Sequence, residues 1–233
     1  MQGRQMTDGE GARDWRIPTN CALVRAVKPL GNDPAPEAAP PSRALAHEFN
    51  NAIATLLLGA QLLIDQLLPD HPLRAELVEV CAAAERAAAL GWQLVPGSGV
   101  PGSGALAMEA PPAPIAAPLA GTVLVVEDDE HVRAAVLRVL ASRGFRVLEA
   151  ADGSEAESLA QAEEIIDLVL TDLELPGLPG TEVARRVCER HGEARVLFMS
   201  GSAQQVPTDR FLSKPFTPQQ LLRLVRLALE AAP

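Results

Sequence analysis

Val-Leu-Val-Val-Glu-Asp-Asp-Glu, residues 123–130, is a run of four apolar residues that stops abruptly at a cluster of acids. It reads as a short apolar strand, with the carboxylates delivered to its carboxyl end. Outward from this stretch the pattern predicts helix 129–143, strand 146–149, helix 154–161, strand 167–171, helix 181–191, strand 195–199, strand 211–213 and helix 218–231. Strands that alternate with helices imply right-handed crossovers, and so a doubly wound parallel α/β sheet whose functional residues gather at the strand carboxyl ends.

Several side chains suited to phosphoryl chemistry fall at that edge. Glu127, Asp128 and Asp129 follow the first strand, Asp172 follows the third, Ser200 ends the fourth and Lys214 ends the fifth. Crowded carboxylates repel unless a cation sits among them, and hard oxygen ligands point to Mg²⁺. The metal, Lys214 and the Ser200 hydroxyl can each take a phosphoryl oxygen while Asp172 attacks. Lys28 and Lys214 are the only lysines in an arginine-rich chain, which makes a compact point charge at Lys214 conspicuous. Taken singly, Asp128 reads as a helix-start acid and Asp172 as a loop-capping aspartate; together with Ser200 and Lys214 they read as one site. A dehalogenase-type phosphatase would carry an Asp-x-Asp pair after its first strand, which is absent here.

These motifs, with Leu-Thr-Asp-Leu at 170–173, Leu-Pro-Gly at 175–177, Phe-Met-Ser-Gly at 198–201 and Lys-Pro-Phe at 214–216, resemble the response-regulator receiver family over nearly all of residues 121–232. The resemblance implies a flavodoxin-like fold, with Asp172 the phosphoacceptor, Asp128 a direct metal ligand, Glu127 an acidic partner acting through water and the Glu174 backbone carbonyl completing the metal shell. It also implies that Ser200 is the switch hydroxyl, Lys214 the family's lysine and Phe211 an aromatic rotamer switch. Only residues 201–210 separate Ser200 from the last strand, so the helix that receivers carry there is expected to be shortened or missing, along with the output surface it builds.

Upstream, proline- and glycine-rich stretches at 29–41 and 96–118 read as linkers around residues 42–95. Phe49, Ile53, Leu56, Ala60, Leu63 and Leu67 recur as a heptad seam, and Leu73, Leu77, Val80, Ala84, Ala87 and Leu94 continue it beyond the Asp70-His71-Pro72 turn. An antiparallel helical hairpin follows. Because two helices leave apolar surface uncovered, the expectation is a homodimer closing an all-α four-helix bundle, in preference to packing on the 121–233 domain across a flexible linker. In that register His47 is exposed, one turn from Asn51, while Phe49 points inward.

Ala-His-Glu-Phe-Asn-Asn, residues 46–51, resembles the phosphoacceptor box of histidine-kinase dimerisation domains, and the resemblance extends to about Val95. It implies phosphorylation of His47 on one ring nitrogen, a hydrogen bond from the other to Glu48, and Asn51 orienting water for dephosphorylation. No ATP-binding domain follows Val95 before the linker, so phosphate is expected to come from a separate cognate histidine kinase or another response regulator.

The chain carries a net charge of −10 and no basic stripe, which disfavours nucleic acid as a partner. Cys21, Cys81 and Cys188 match no metal spacing and read as reduced thiols. No signal-peptide core or membrane span is apparent, so the expected location is cytoplasmic. Residues 1–41 are expected to be largely disordered, with 22–27 at most a strand. The combined reading is a phosphorelay protein accepting phosphate on Asp172 and exchanging it with His47; the alternatives are a kinase-binding adaptor without catalysis and a phosphatase or phosphate sink.

Overall fold

The computed structural model describes residues 41–94, 121–201 and 210–230; the expected linkers, the segment 1–40 and most of the 201–210 segment lie outside the described residues. The domain from 121 onward contains β1 (Thr122–Val126), α3 (Glu130–Ala141), β2 (Arg146–Ala150), α4 (Gly153–Ala162), β3 (Leu168–Asp172), α5 (Gly180–Arg190), β4 (Arg195–Ser200), β5 (Phe211–Ser213) and α6 (Pro218–Glu230). It follows α1 (Pro41–Gln66) and α2 (Leu73–Leu94) of the hairpin.

All five strands are parallel, in the order β2-β1-β3-β4-β5. β1 and β3 are central and, apart from half-buried Thr122, their side chains are buried, whereas β2 at one edge keeps Arg146 and Glu149 exposed. Val126 of β1 lies opposite Thr171 of β3, so Glu127 and Asp172, one residue further on, emerge side by side. That is the point where the chain changes the direction in which it adds strands, the place where doubly wound sheets form their crevice.

Two apolar layers enclose the sheet. On one side Val126, Ile166, Val169 and Phe198 pack with Val183, Ala184 and Val187 of α5 and the small face of α4. On the other, Val125, Leu170 and Met199 pack with Val132, Val136 and Val139 of α3 and Leu221, Leu222 and Val225 of α6.

Leu58 of α1 also belongs to this second layer, fully buried, with Leu62 beside it. The hairpin therefore packs on α3 and α6, which corrects the expectation that it stands apart from the 121–233 domain. Asp65 pairs with Arg143 at 3.6 Å along the same contact. The heptad seam is corrected with it. Among its expected positions on α1, Ile53 and Ala60 are buried, but Phe49, Leu56 and Leu63 are 38%, 52% and 51% exposed.

The physical reason is that α1 has two neighbours rather than one. Ile53 and Leu57 meet Ala84 and Ala88 of α2, while Asn50, Asn51 and Leu58, about a third of a turn around the helix, are turned to the other domain. Phe49 lies at the border, its ring against Gly91, where a Cβ would come within 2.6 Å of it. Arg74 at the start of α2 donates from Nη1 to the carbonyls of Ile64 (2.6 Å) and Leu67 (3.3 Å), satisfying acceptors that the end of α1 leaves open. No helix of the described residues is long and apolar enough to cross a membrane.

Candidate phosphoacceptor site

Lys214 is the first residue after β5, and its backbone amide donates to the Ser200 carbonyl at 2.8 Å, which carries the side chain to the carboxyl edge of the sheet. Its ammonium is fully buried. Nζ donates to Asp172 Oδ2 at 2.6 Å, to Glu127 Oε1 at 2.8 Å and to Asn51 Oδ1 at 3.1 Å. Asp172 Oδ1 accepts from the Glu174 amide at 2.8 Å. Behind Asp172 the chain passes so close that a Cβ on Gly180 would lie 1.8 Å from the Asp172 carbonyl oxygen, so only glycine fits at the start of α5.

Asp129 is the helix-starting acid: its Oδ1 accepts from the amides of His131 and Val132 and caps α3. Asp128 is freed for another role, and its buried Oδ1 has no hydrogen-bond partner. Arg133 Nη1 donates to the Glu127 carbonyl at 2.8 Å and the Asp128 carbonyl at 3.4 Å, which fixes the backbone beneath both acids. Ser200 is buried at the end of β4, and Phe211 is half-buried at the start of β5 against the layer that contains Phe198.

The hairpin completes the site from above. Asn51 Nδ2 lies 3.2 Å from His47 Nε2 and donates to Asp129 Oδ2 at 3.3 Å, while Asn50 Nδ2 donates to the Gly201 carbonyl at 3.0 Å. His47 is half-buried rather than exposed, with Nδ1 3.7 Å from Glu174 Oε2. Ligand atoms of His47, Asp128 and Asp172 all lie within 4.8 Å of one another. Glu48, expected to hold the histidine ring, is instead exposed, because the turn of helix that aims His47 at the sheet edge aims Glu48 away from it. Sequence reasoning missed Asn50, the Glu174 side chain, the Asp129–Asn51 bond and Gly180; the Asn50-Asn51 pair beside His47 was the available signal, since two adjacent amides are poor helix interior residues unless they have partners.

Burial pushes the Glu127 carboxyl up to about 8, with Asp172 and Asp128 adding to the shift and Lys214 opposing it. Desolvation works against the Lys214 ammonium, but Glu127 and Asp172 outweigh it and its pKa is raised. Glu127, Asp128 and Asp172 thus gather at one sheet edge where only Glu127 and Asp172 meet the Lys214 ammonium, and the buried Asp128 Oδ1 is left without a hydrogen-bond partner. This donor set fits a hard divalent cation, the kind of acidic site at which receiver domains bind Mg²⁺.

A pH dependence follows. Between the ordinary glutamate pKa of about 4.3 and about 8, the folded chain keeps a proton on Glu127 that the unfolded chain has already lost, so this group's contribution to stability is present below that window and declines as pH rises through it. Thermal melts in EDTA should show this decline, Mg²⁺ should offset it most at the upper end, and Glu127→Gln should flatten it. A slope in Glu127→Gln equal to wild type would assign the effect elsewhere.

Residues 123–226 match the family model of the response regulator receiver domain. The sensor kinase CckA of Brucella abortus is 37% identical over 118 residues, which is 47% of this chain and 12% of the kinase. The response regulator receiver protein CpdR of the same organism is 32% identical over 118 residues, 47% of this chain and 98% of CpdR. Among solved structures, the receiver domain of the sensor histidine kinase PA1611 from Pseudomonas aeruginosa, with a magnesium ion coordinated in its active-site cleft, is 25% identical, with a TM-score of 0.44, covering 48% of this chain and all of that one. The match runs through the strands that carry Glu127, Asp128, Asp172, Ser200 and Lys214, and the chain belongs to the response-regulator receiver family.

Proposed function

We propose that the chain is a phosphorelay protein in which Asp172 accepts a phosphoryl group and exchanges it with His47 of its own hairpin. The observation that carries this reading is the approach of the His47 ring to Asp128 and Asp172, with ligand atoms within 4.8 Å, across 125 residues of sequence. A histidine on a surface helix has no structural need to face a buried aspartate, whereas an imidazole nucleophile and a carboxylate acceptor are chemically matched for phosphoryl transfer.

Asp172 is the acceptor, Lys214 neutralises charge that develops on the phosphoryl oxygens, and the Ser200 hydroxyl donates to one of them. Phe211 responds to Ser200 as the switch residue. Mg²⁺, when bound by Asp128, Asp172, Glu127 through water and the Glu174 carbonyl, supplies further charge neutralisation. Phosphate originates from a separate histidine kinase or passes to another regulator, partners that receiver domains commonly serve, and the protein acts in the cytoplasm.

The test uses the full chain with radiolabelled acetyl phosphate and Mg²⁺. Base-labile label should appear on Asp172, and base-stable label, diagnostic of phosphohistidine, should follow on His47. His47→Gln should lose only the second and Asp172→Asn both. A wild-type chain that gains aspartyl label but no base-stable label would contradict the exchange. Asn51 touches Lys214 in the site, which favours a phosphatase as second reading: inorganic phosphate released more slowly from Asn51→Ala, with no phosphohistidine, would establish it in place of the exchange.

The hairpin's outward stripe, Phe49, Leu56 and Leu63 at seven-residue spacing, supports dimerisation through residues 42–95 even with the receiver docked, since it is a different face of α1 from the one that Leu58 and Asn51 occupy. Light scattering on the full chain should give twice the monomer mass, and Leu56→Glu with Leu63→Glu should give the monomer. A strictly monomeric wild type at high concentration would sink the dimer.

A further inference from the structure

The orientation of one amide determines which nitrogen of His47 carries its proton. A lysine ammonium has only protons to offer, so the Asn51 atom 3.1 Å from Lys214 Nζ has to be the carbonyl oxygen. The Asn51 nitrogen is thereby turned to the other side, where Asp129 Oδ2 accepts one of its protons at 3.3 Å. Its remaining N–H faces His47 Nε2 at 3.2 Å. Two donors cannot share that contact, so Nε2 presents its lone pair and the ring proton resides on Nδ1. The other end of the ring agrees: Nδ1 is buried, makes no hydrogen bond, and looks toward the Glu174 carboxylate at 3.7 Å, a group that can only receive.

We propose that the receiver selects the tautomer of the histidine that faces it: Lys214, through Asn51, fixes His47 as the Nδ1–H imidazole with its Nε2 lone pair toward the Asp172 site. Neutral imidazole in water favours the opposite tautomer, with the proton on Nε2, which leaves that atom without a lone pair for attack. Asn51 is thus a positioning residue for phosphoryl exchange, a role separate from orienting water and one that works only when hairpin and receiver are docked. This inference rests on the exchange proposed above. In that exchange the Nε2 lone pair forms the N–P bond, the P–O bond to Asp172 breaks with its electron pair returning to the carboxylate, and the Nδ1 proton stays on the ring facing Glu174. The reverse transfer returns the N–P pair to Nε2.

The experiment is long-range proton–nitrogen NMR on the full chain labelled with ¹⁵N-histidine, at a pH where the ring is neutral, with His47 assigned by the loss of its signals in His47→Gln. The wild-type chain should show an unprotonated Nε2 and a protonated Nδ1. Asn51→Asp, which replaces the donor facing Nε2 with an acceptor, should move the proton to Nε2 and slow appearance of base-stable label by about tenfold or more. Lys214→Met should leave a mixture of tautomers. A wild-type His47 protonated on Nε2, or unmoved by Asn51→Asp, overturns the inference even if phosphate reaches His47. The tautomer readout needs no phosphate, so the expected tautomer without any His47 label would defeat the exchange and leave the selection standing.

Discussion

One buried ammonium organises this molecule. Removing a lysine head group from water costs several kcal/mol unless acceptors replace its hydration, and Lys214 has three N–H bonds to satisfy. The structure meets that demand with one acceptor from the end of β1, one from the end of β3 and one from helix α1: Glu127, Asp172 and Asn51. The first two come with the parallel sheet, whose register brings the ends of β1 and β3 level. The third comes only if the hairpin docks. In the proposed exchange, a phosphoryl oxygen drawing on Lys214 would have to take the place of one of these three acceptors, so that chemistry and docking of the hairpin would act on the same ammonium.

Helix α1 makes this possible by presenting three faces. One meets α2 through Ile53 and Leu57, one meets the receiver through Asn50, Asn51 and Leu58, and the third, with Leu56 and Leu63, is left to solvent. The apolar contact of Leu58 with the α3 and α6 layer supplies non-directional attraction, while the asparagines supply register, since a slip of one residue would remove Asn51 from Lys214 and turn His47 away from the sheet edge.

The receiver half was legible in the sequence because its strands are continuous apolar runs ending in polar residues with specific chemistry. The expected strands match the observed ones to within about a residue, and Glu127, Asp172 and Lys214 meet as their positions at strand ends require, with Ser200 buried at the end of β4. The hairpin's helices were equally legible, but not its packing. A heptad pattern reports apolar spacing on one helix and is silent about which neighbour each stripe meets, so Leu56 and Leu63 read as core and Leu58 did not. His47 read as exposed for the same reason: the helix alone offers it only Asn51, one turn on, and the groups that bury it, Glu174 and the acids of the receiver, lie more than eighty residues away. Glu48 was expected beside the ring because the resemblance to the kinase phosphoacceptor box implies it, whereas the carboxylate that faces His47 here is that of Glu174.

Docking of the hairpin on its own receiver is the claim on which the rest turns, and disulfide trapping tests it most directly. A Cβ at Gly201 would lie 3.4 Å from the Asn50 Cβ, close to the separation of about 3.5–4.5 Å that a disulfide requires. In a chain with Cys21, Cys81 and Cys188 replaced by serine, Asn50→Cys with Gly201→Cys should oxidise to an intrachain disulfide at a rate independent of protein concentration. Thiols that stay reduced under oxidant, or that bridge only between chains, would contradict the docked arrangement.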